Sequence, residues 1–221
     1  MVDLSAVIVR RIAVIGDVHT DDGRLDVALR TIADLQVEAV LCTGDIVDGP
    51  GSAARCCALL QEHRVHCVRG NHDRWLFTGV WRDQRYATAI ATLAPGEQDF
   101  LRGLPAVRDV RIPQGRMLLC HGIGDADLEA IRAIAPEYFI ATNPALAALR
   151  AQGRYQLMVS GHTHERLRVV AGELLLVNVG SLCGPEQPGF AVLDFDADQL
   201  TWYDIEDGAV QALAPVALFG V

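Results

Sequence analysis

Residues 12–19 read Ile-Ala-Val-Ile-Gly-Asp-Val-His, an apolar run of strand length that ends in a glycine turn carrying an aspartate and a histidine. Short apolar runs that end at glycine and polar residues predict buried β-strands. The same arrangement recurs further along the chain. Four more apolar runs end in turns of this kind, at residues 39–43, 65–68, 117–120 and 157–160.

Helical patterns separate several of these runs. Residues 22–35 place four aliphatic side chains, about one per turn, on a single face. Ser52 is a good N-cap for a second helix that is predicted to end near His63. Strands that alternate with helices predict parallel strands joined by crossover helices.

The sequence after Gly161 has a different character. Strand-like segments at residues 167–170, 174–179, 190–195 and 200–205 follow one another across short turns, which predicts an antiparallel meander. Together the two halves predict an α/β (α+β) fold with one mixed sheet or two packed sheets. No repeat or linker divides the sequence, so residues 1–221 are predicted to form a single domain.

The composition is that of a globular protein and restricts its partners. Hydrophobic residues make up 51% of the chain, but no apolar run approaches the roughly 18 residues of a spanning helix, so no membrane partner is expected. The six cysteines include no Cys-x-x-Cys pair, and the absence of an export signal predicts a reducing cytoplasm. The net charge of -9 disfavours extended nucleic acid as a partner. A homo-oligomer is compatible with the sequence.

Each apolar run is followed at once by polar side chains of the kind that bind metals. In an open parallel sheet, the carboxyl ends of the strands lie along one edge, where ligands bind. The turns are therefore predicted to converge on one pocket. They contain Asp17 and His19, Asp45 and Asp48, Asn71 and His72, His121, and His162 and His164.

These residue types are typical of transition-metal sites. Side chains two residues apart in an extended segment point to the same side, so Asp17 with His19, and His162 with His164, are each predicted to bracket an ion. Carboxylate and imidazole ligands together favour zinc, iron, manganese or nickel over calcium. One Asp-x-His pair is weak evidence, but five of the seven histidines lie in these turns.

The complete set of turns resembles the calcineurin-like metallophosphoesterases, and most closely their compact bacterial phosphodiesterase branch. The motif blocks of that family run Asp-x-His, Gly-Asp, Gly-Asn-His-Asp or Gly-Asn-His-Glu, His, and Gly-His-x-His. All five blocks occur here in that order, between Asp17 and His164. The resemblance implies a four-layer sandwich of two mixed β-sheets flanked by helices.

The resemblance also implies a centre that holds two transition-metal ions. Mn²⁺ is the ion expected to support activity in vitro, and iron, zinc and nickel are the alternatives. The family's pattern assigns Asp17, His19 and His164 to the first metal, Asn71, His121 and His162 to the second, and Asp45 to a bridge between them.

The implied activity is hydrolysis of a small phosphodiester, with monoesters as a further substrate class. Such a centre makes hydroxide available between the two metals for in-line attack on phosphorus. The match assigns the general acid to His72 and the orientation of that histidine to Asp48. It also gives Asn71 a contact with a phosphate oxygen.

Departures from the motifs weigh against three alternatives. In the protein serine/threonine phosphatases of the superfamily, the second block continues with an arginine and the third ends in glutamate. Residues 45–51 contain no arginine, and the third block ends in Asp73, so a protein phosphatase is disfavoured. A nuclease is disfavoured by the acidic charge. A non-catalytic protein-binding scaffold is disfavoured because every expected ligand type is present.

Residues 74–86 are rich in aromatic side chains and arginine. This stretch fits a wall of the substrate pocket, or alternatively a packing or self-association surface. Within it, Arg74 is the best candidate for a phosphate contact.

Two weaker signals lie beyond His121. Residues 178–181 fit a turn that positions His162 or His164, and fit a plain turn equally well. Asp125 and Asp127 are predicted to cap a helix and to place charge in its first turn, rather than to act in catalysis.

Overall fold

The fold is described here from a computed structural model that covers residues 2–132, 137–184 and 187–220. Two mixed β-sheets pack against each other, and helices cover their outer faces. The predicted four-layer α/β sandwich is therefore confirmed. None of the described helices is both long enough and apolar enough to cross a membrane.

The first sheet has seven strands in the order β11-β10-β9-β1-β2-β3, with β12 paired to β10. Strands β1, β2 and β3 are parallel, whereas β9 runs antiparallel to β1. Its strands are β1 (Arg11–Ile15), β2 (Ala39–Cys42), β3 (His66–Cys67), β9 (Gly189–Asp194), β10 (Gln199–Glu206), β11 (Ala209–Ala212) and β12 (Val216–Ala217).

The second sheet has five strands in the order β4-β5-β6-β8-β7. Strands β5, β6 and β8 are parallel to one another, and β4 and β7 are antiparallel edges. Its strands are β4 (Val107–Ile112), β5 (Gly115–Cys120), β6 (Leu157–Ser160), β7 (Arg166–Ala171) and β8 (Leu174–Val179).

Six α-helices occur in the described residues. The first four pack along the first sheet and the last two along the second. They are α1 (Asp22–Ala33), α2 (Ala53–Glu62), α3 (Asn71–Thr78), α4 (Pro95–Arg102), α5 (Glu137–Thr142) and α6 (Pro144–Ala151). The N-cap predicted for α2 is confirmed, since the hydroxyl of Ser52 accepts a hydrogen bond from the backbone N–H of Arg55 at 3.1 Å.

Strands that are apolar at every position are buried on both faces. In β6, Leu157 and Val159 point into the core between the sheets, whereas Met158 points toward the helices of the second sheet. Because side chains alternate along a strand, a continuous apolar run packs against the core on each of its two faces. Each such leucine or valine contributes roughly 1.5–3 kcal/mol when fully buried.

The single antiparallel meander predicted after Gly161 is wrong. Strands β7 and β8 form a hairpin in the second sheet, whereas β9 and β10 form a hairpin in the first. Strand β8 also pairs in parallel with β6, and β9 pairs with β1. Local alternation identifies each hairpin, but the sheet that each hairpin joins depends on partners far away in sequence.

Candidate metal centre

Turns at the carboxyl ends of five strands bring the predicted site residues together. Strands β1, β2 and β3 belong to the first sheet and β5 and β6 to the second, so the cluster lies where the two sheets meet. The turns contribute, in chain order, Asp17 and His19, Asp45 and Asp48, Asn71 and His72, His121, and His162 and His164.

The backbone of this cluster is largely left-handed rather than extended. Positive φ angles occur at His19 (41°), Asp45 (48°), Asp48 (66°), His162 (71°) and His164 (62°). The extended geometry predicted for the Asp-x-His and His-x-His pairs is therefore wrong. This conformation costs on the order of 1 kcal/mol at a residue other than glycine, and it concentrates at functional sites.

One half of the cluster, which we call the buried half, consists of Asn71, His121 and His162, and the carboxylate of Asp45 lies between it and the other half. The Nε2 atom of His121 lies 2.9 Å from Asn71 Oδ1, 3.2 Å from His162 Nδ1 and 3.3 Å from Asp45 Oδ2. Its Nδ1 atom lies 2.9 Å from the carbonyl oxygen of Thr43. Because both ring nitrogens are held, the His121 ring is oriented before any ion arrives.

The other half, the open half, consists of Asp17, His19 and His164. Nε2 of His164 lies 3.8 Å from Asp17 Oδ1, and Nε2 of His19 lies 3.6 Å from Asp45 Oδ2. The side chain of His164 is 42% exposed. Within the open half, only His164 is exposed to this extent, since the side chains of Asp17 and His19 are 0% and 12% exposed.

The charges of the cluster favour a bound cation. Burial alone would lower the pKa of His121, but the carboxylates of Asp45 and Asp17 outweigh it and raise the pKa to about 10. Burial also lowers the pKa values of His162 and His164. Without metal, the buried carboxylates therefore retain a proton on His121. Imidazole nitrogens beside carboxylate oxygens suit a transition-metal ion, which would supply that positive charge instead.

Among the described residues, three sets of side chains could hold a metal ion, and within each set the ligand atoms lie within 4.8 Å of one another. One combines Asp45 with His121 and His162 of the buried half. A second contains His72 beside His19 and Asp45, and a third adds Cys183 to His19 and His164. Cys183 was not predicted as a site residue. The available signal was its position outside the apolar runs and the helical segment that contain the other five cysteines.

Asp73 ties two of the turns together. Its buried carboxylate accepts hydrogen bonds from the backbone N–H groups of Ile46 (2.9 Å), Val47 (3.2 Å) and Gly70 (3.0 Å). A Cβ atom added at Gly70 would overlap the Asp45 carboxylate. The Gly-Asp and Gly-Asn-His-Asp motifs are thus pressed against each other, and glycine is required for that close approach.

His72 is hydrogen-bonded to Asp48, as the sequence analysis expected of this pair. Nδ1 of His72 lies 2.8 Å from Asp48 Oδ2, and the side chain of Asp48 is 1% exposed. Burial lowers the pKa of His72, but Asp48 and Asp45 outweigh that effect and raise it above its usual value. The contact with Asp48 therefore fixes the orientation of the ring, and the two carboxylates favour its protonated form.

A cavity of about 580 Å³ opens onto the cluster. On the side of the open half it is lined by His19, His72 and His164, and on the other side by Pro50 and Tyr86, among others. Another cavity, of about 520 Å³, lies at the amino ends of β1 and β2 and contains none of the predicted metal ligands.

Residues 74–86 serve several purposes. Gln84 and Tyr86 line the cavity, in agreement with a pocket wall, whereas Phe77 packs against the core of the first sheet. Trp75 contacts the ring of His72, with centroids 4.8 Å apart, and stacks on Trp81. The two alternatives considered for this stretch thus apply to different residues within it.

Arg74 forms an ion pair with Asp127. Its Nε and Nη2 atoms donate to the two Asp127 oxygens at 2.7 and 2.9 Å. The helix that Asp125 and Asp127 were predicted to cap is absent from the described residues that follow them, since residues 121–132 contain turns, an isolated bridge and irregular backbone. A phosphate contact by Arg74 stays a prediction, and it would have to use nitrogen atoms outside this pair.

Asn178 supports the turn that carries His162. Its Nδ2 atom donates to the carbonyl oxygen of Gly161 and to Thr163 Oγ1. Of the two alternatives for residues 178–181, the contacts agree with a positioning turn.

Comparison with known proteins agrees with this architecture. A family model described as the calcineurin-like phosphoesterase superfamily domain matches residues 11–198. A search of curated proteins found no match.

Solved structures from several organisms share the fold. A metallophosphoesterase from Sphaerobacter thermophilus has 24% identity and a TM-score of 0.68, covering 90% of this chain and 88% of that chain. The phosphoesterase Yfce from E. coli has 20% identity and a TM-score of 0.59, with coverage of 94% and 99%. Vps29 complexed with Zn²⁺ from Entamoeba histolytica has 20% identity and a TM-score of 0.55, with coverage of 94% and 98%.

Proposed function

Because this chain belongs to the calcineurin-like phosphoesterase superfamily, we propose that it hydrolyses a small phosphodiester at a centre of two transition-metal ions. The observation that carries the proposal is the convergence of the seven predicted ligands from five strand ends on one cluster. Such convergence has no structural purpose of its own, since it buries carboxylates and places five site residues in left-handed conformations.

In this proposal the two halves of the cluster hold one ion each. Asp17, His19 and His164 bind the first ion, Asn71, His121 and His162 bind the second, and Asp45 lies between the halves. When bound, two such ions lower the pKa of water and neutralise charge on the phosphoryl oxygens. Mn²⁺, iron, zinc and nickel all suit these ligands.

His72 supplies the proton for the leaving group. It lines the cavity, and because Nδ1 is engaged by Asp48, Nε2 is the nitrogen left to face a substrate. Burial lowers the pKa of His72, but the neighbouring carboxylates of Asp48 and Asp45 raise it above its usual value, which favours the protonated form that an acid needs. In-line displacement must expel an alkoxide or phenoxide, and a positioned acid lowers that barrier. In this proposal the side-chain amide of Asn71, the residue before His72, also contacts a phosphate oxygen.

The cavity supports a small substrate. A volume of about 580 Å³ is typical of small-molecule sites. The net charge of -9 disfavours a long nucleic acid. Both observations support a small phosphate ester over a long nucleic acid, while the motif departures at residues 45–51 and Asp73 weigh against a protein phosphatase. The diester, with monoesters as a further class, is proposed from the family resemblance.

The cellular setting is proposed from the thiols. All six cysteines are free and five of them are buried. Free thiols are typical of reducing compartments, so we place this protein in the cytoplasm, acting as a single domain over residues 1–221.

The test is hydrolysis by the metal-loaded protein. Metal-stripped protein is loaded with manganese, nickel, zinc or iron and assayed with bis-p-nitrophenyl phosphate, p-nitrophenyl phosphate and cyclic nucleotides. We expect the diesters to be cleaved, and the stripped protein serves as the control. Protein that binds two ions per chain and cleaves none of the substrates contradicts the proposal.

One alternative has a specific observation in its favour. The similar structure of Vps29 with Zn²⁺ bears the name of a sorting protein rather than an esterase. A non-catalytic scaffold on this fold would bind metal without hydrolysis. Metal stoichiometry measured beside turnover therefore separates the two functions.

A further inference from the structure

The Asp48 carboxylate that holds His72 is itself held by a second group of residues. We call Arg82, Gln84 and Thr88 the clasp. Arg82 donates to both Asp48 oxygens, with Nη1 to Oδ1 at 3.1 Å and Nη2 to Oδ2. Gln84 Nε2 donates to Oδ2 at 2.8 Å, and the Thr88 backbone N–H donates to Oδ1 at 2.8 Å.

The clasp fixes the plane of the carboxylate. A guanidinium that binds a carboxylate through two parallel hydrogen bonds leaves it little freedom to rotate. The backbone of Asp48 is held as well, because its N–H donates to Thr88 Oγ1 at 2.9 Å. Oδ2 is thereby kept facing His72 Nδ1 although Asp48 lies in a left-handed turn.

The rest of the His72 environment is less restrictive. Its ring meets the rings of Trp75 and His19 edge-on, at centroid distances of 4.8 Å in each case. Such contacts limit tilt, but they do not determine the direction of the ring nitrogens. The hydrogen bond to Asp48 at 2.8 Å does, while Gln84 Nε2 lies further away, 3.4 Å from the same Nδ1 atom. Whatever orients Asp48 therefore also orients the acid.

We infer that Arg82 is a positioning residue, which directs His72 toward the leaving group by holding Asp48. This inference rests on the proposed function. Arg82 lies in the aromatic and arginine-rich stretch that the sequence analysis treated as a pocket wall or packing surface. Its contacts instead make it a support of the acid, while Gln84 from the same segment reaches both Asp48 and the cavity.

The first test is selectivity for the leaving group. Arg82→Gln should slow kcat for a phenyl diester by up to about a hundredfold, because a misplaced acid loses proximity. A p-nitrophenyl diester, whose leaving group needs little protonation, should slow only severalfold. KM and the metal content should be unchanged. Arg30→Gln, at an exposed arginine of α1, is the matched control.

The second test is a double-mutant cycle. If Arg82 acts through His72, then Arg82→Gln added to His72→Ala should cause little further loss. Arg82→Lys cannot bind both Asp48 oxygens in the same way, so its kcat for the phenyl diester should lie between those of the wild type and Arg82→Gln. Added guanidinium should partly restore the kcat of Arg82→Ala. Gln84→Leu should show the same selectivity with a smaller loss, and it remains informative if the Arg82 variants fold poorly.

Several outcomes overturn the inference. Equal slowing of both substrates, loss of metal, or additive losses in the cycle would mean that Arg82 supports the fold rather than the acid. Unchanged kinetics in an active Arg82→Gln enzyme would remove this inference alone and leave the proposed function intact. A wild-type protein without hydrolase activity would remove both.

Discussion

The two halves of the cluster of predicted ligands are built differently. In the buried half, His121 is 1% exposed and three ligand atoms lie within 3.3 Å of its Nε2 atom. In the open half, His164 has a 42% exposed side chain and lies 3.8 Å from Asp17. The comparison indicates that folding alone brings the ligand atoms of the buried half into contact, whereas those of the open half lie further apart.

The difference follows from where the ligands sit on the chain. His121 is the residue directly after β5, and a carbonyl of the neighbouring sheet holds its ring. His19 and His164 lie further out in their turns, and His164 has the half-exposed Cys183 as its neighbour, with Sγ 4.0 Å from Nδ1. We expect the ion in the open half to exchange faster, since the side chain of His164, one of its three ligands, is 42% exposed.

The largest effect should come from the residue between the halves. Asp45→Asn keeps the shape of the side chain but removes the charge that both ions would share. We expect loss of both ions and a fall in kcat/KM of at least about a thousandfold, because metals contribute several kcal/mol to the transition state. Elemental analysis beside kinetics checks this. A fully loaded, active variant would exclude Asp45 as the bridge.

A matched pair of substitutions compares the halves directly. His164→Gln should retain one ion per chain, held by the buried half, whereas His121→Gln should weaken binding in both because it also disturbs Asp45. The metal content and the rate of metal removal by a chelator measure the difference. Equal metal loss in the two variants would show that the halves do not differ in the way their geometry indicates.

The pH dependence of the metal-free protein tests the buried half. The pKa of His121 is raised to about 10 from a usual value of 6.5. Its contribution to stability is therefore complete below pH 6.5 and is lost as the pH rises toward 10. We expect Tm to fall across that range, by about 2–4 °C for each kcal/mol lost.

Two controls define that result. His121→Gln should flatten the decline, and metal-loaded protein should lack it, because an ion replaces the proton. Asp45 acts at the other end of the pH scale. Burial opposes its ionisation, but His121 and His19 hold its pKa below the usual 3.8, so its contribution is lost as the pH falls below that value. A Tm that is constant from pH 6.5 to 10 in the metal-free protein would contradict the raised pKa of His121.

The smallest effect concerns the edge of the open half. Cys183 is partly exposed, whereas the other five cysteines are buried. A maleimide should therefore label one thiol per native chain and six in denaturant. Metal loading should slow that labelling severalfold because His164 becomes fixed beside the thiol. Labelling unaffected by metal would place Cys183 outside the influence of the site.

Local sequence was sufficient for the elements that begin the site. The apolar runs predicted strands, the polar residues that follow them predicted convergence at strand ends, and Ser52 predicted the start of α2. The strands and the start of α2 depend on neighbouring residues, whereas the convergence followed from the general rule that ligands bind at the carboxyl ends of parallel strands. Strands β4, β11 and β12 and helices α3 to α6 were not predicted. Two of these helices carry recognisable start signals, namely Pro95 in α4 and Asn143 with Pro144 at the start of α6.

The motif residues and their order along the chain were thus determined by the sequence alone. Only the tertiary structure decided that the last four strand-like segments divide between two sheets, that the ligand turns are left-handed, and that Arg82 holds Asp48. It also divided the ligands into a buried and an open half. Each of these features depends on contacts between segments that are distant along the chain, and the free energy of those contacts is not visible in local patterns of residues.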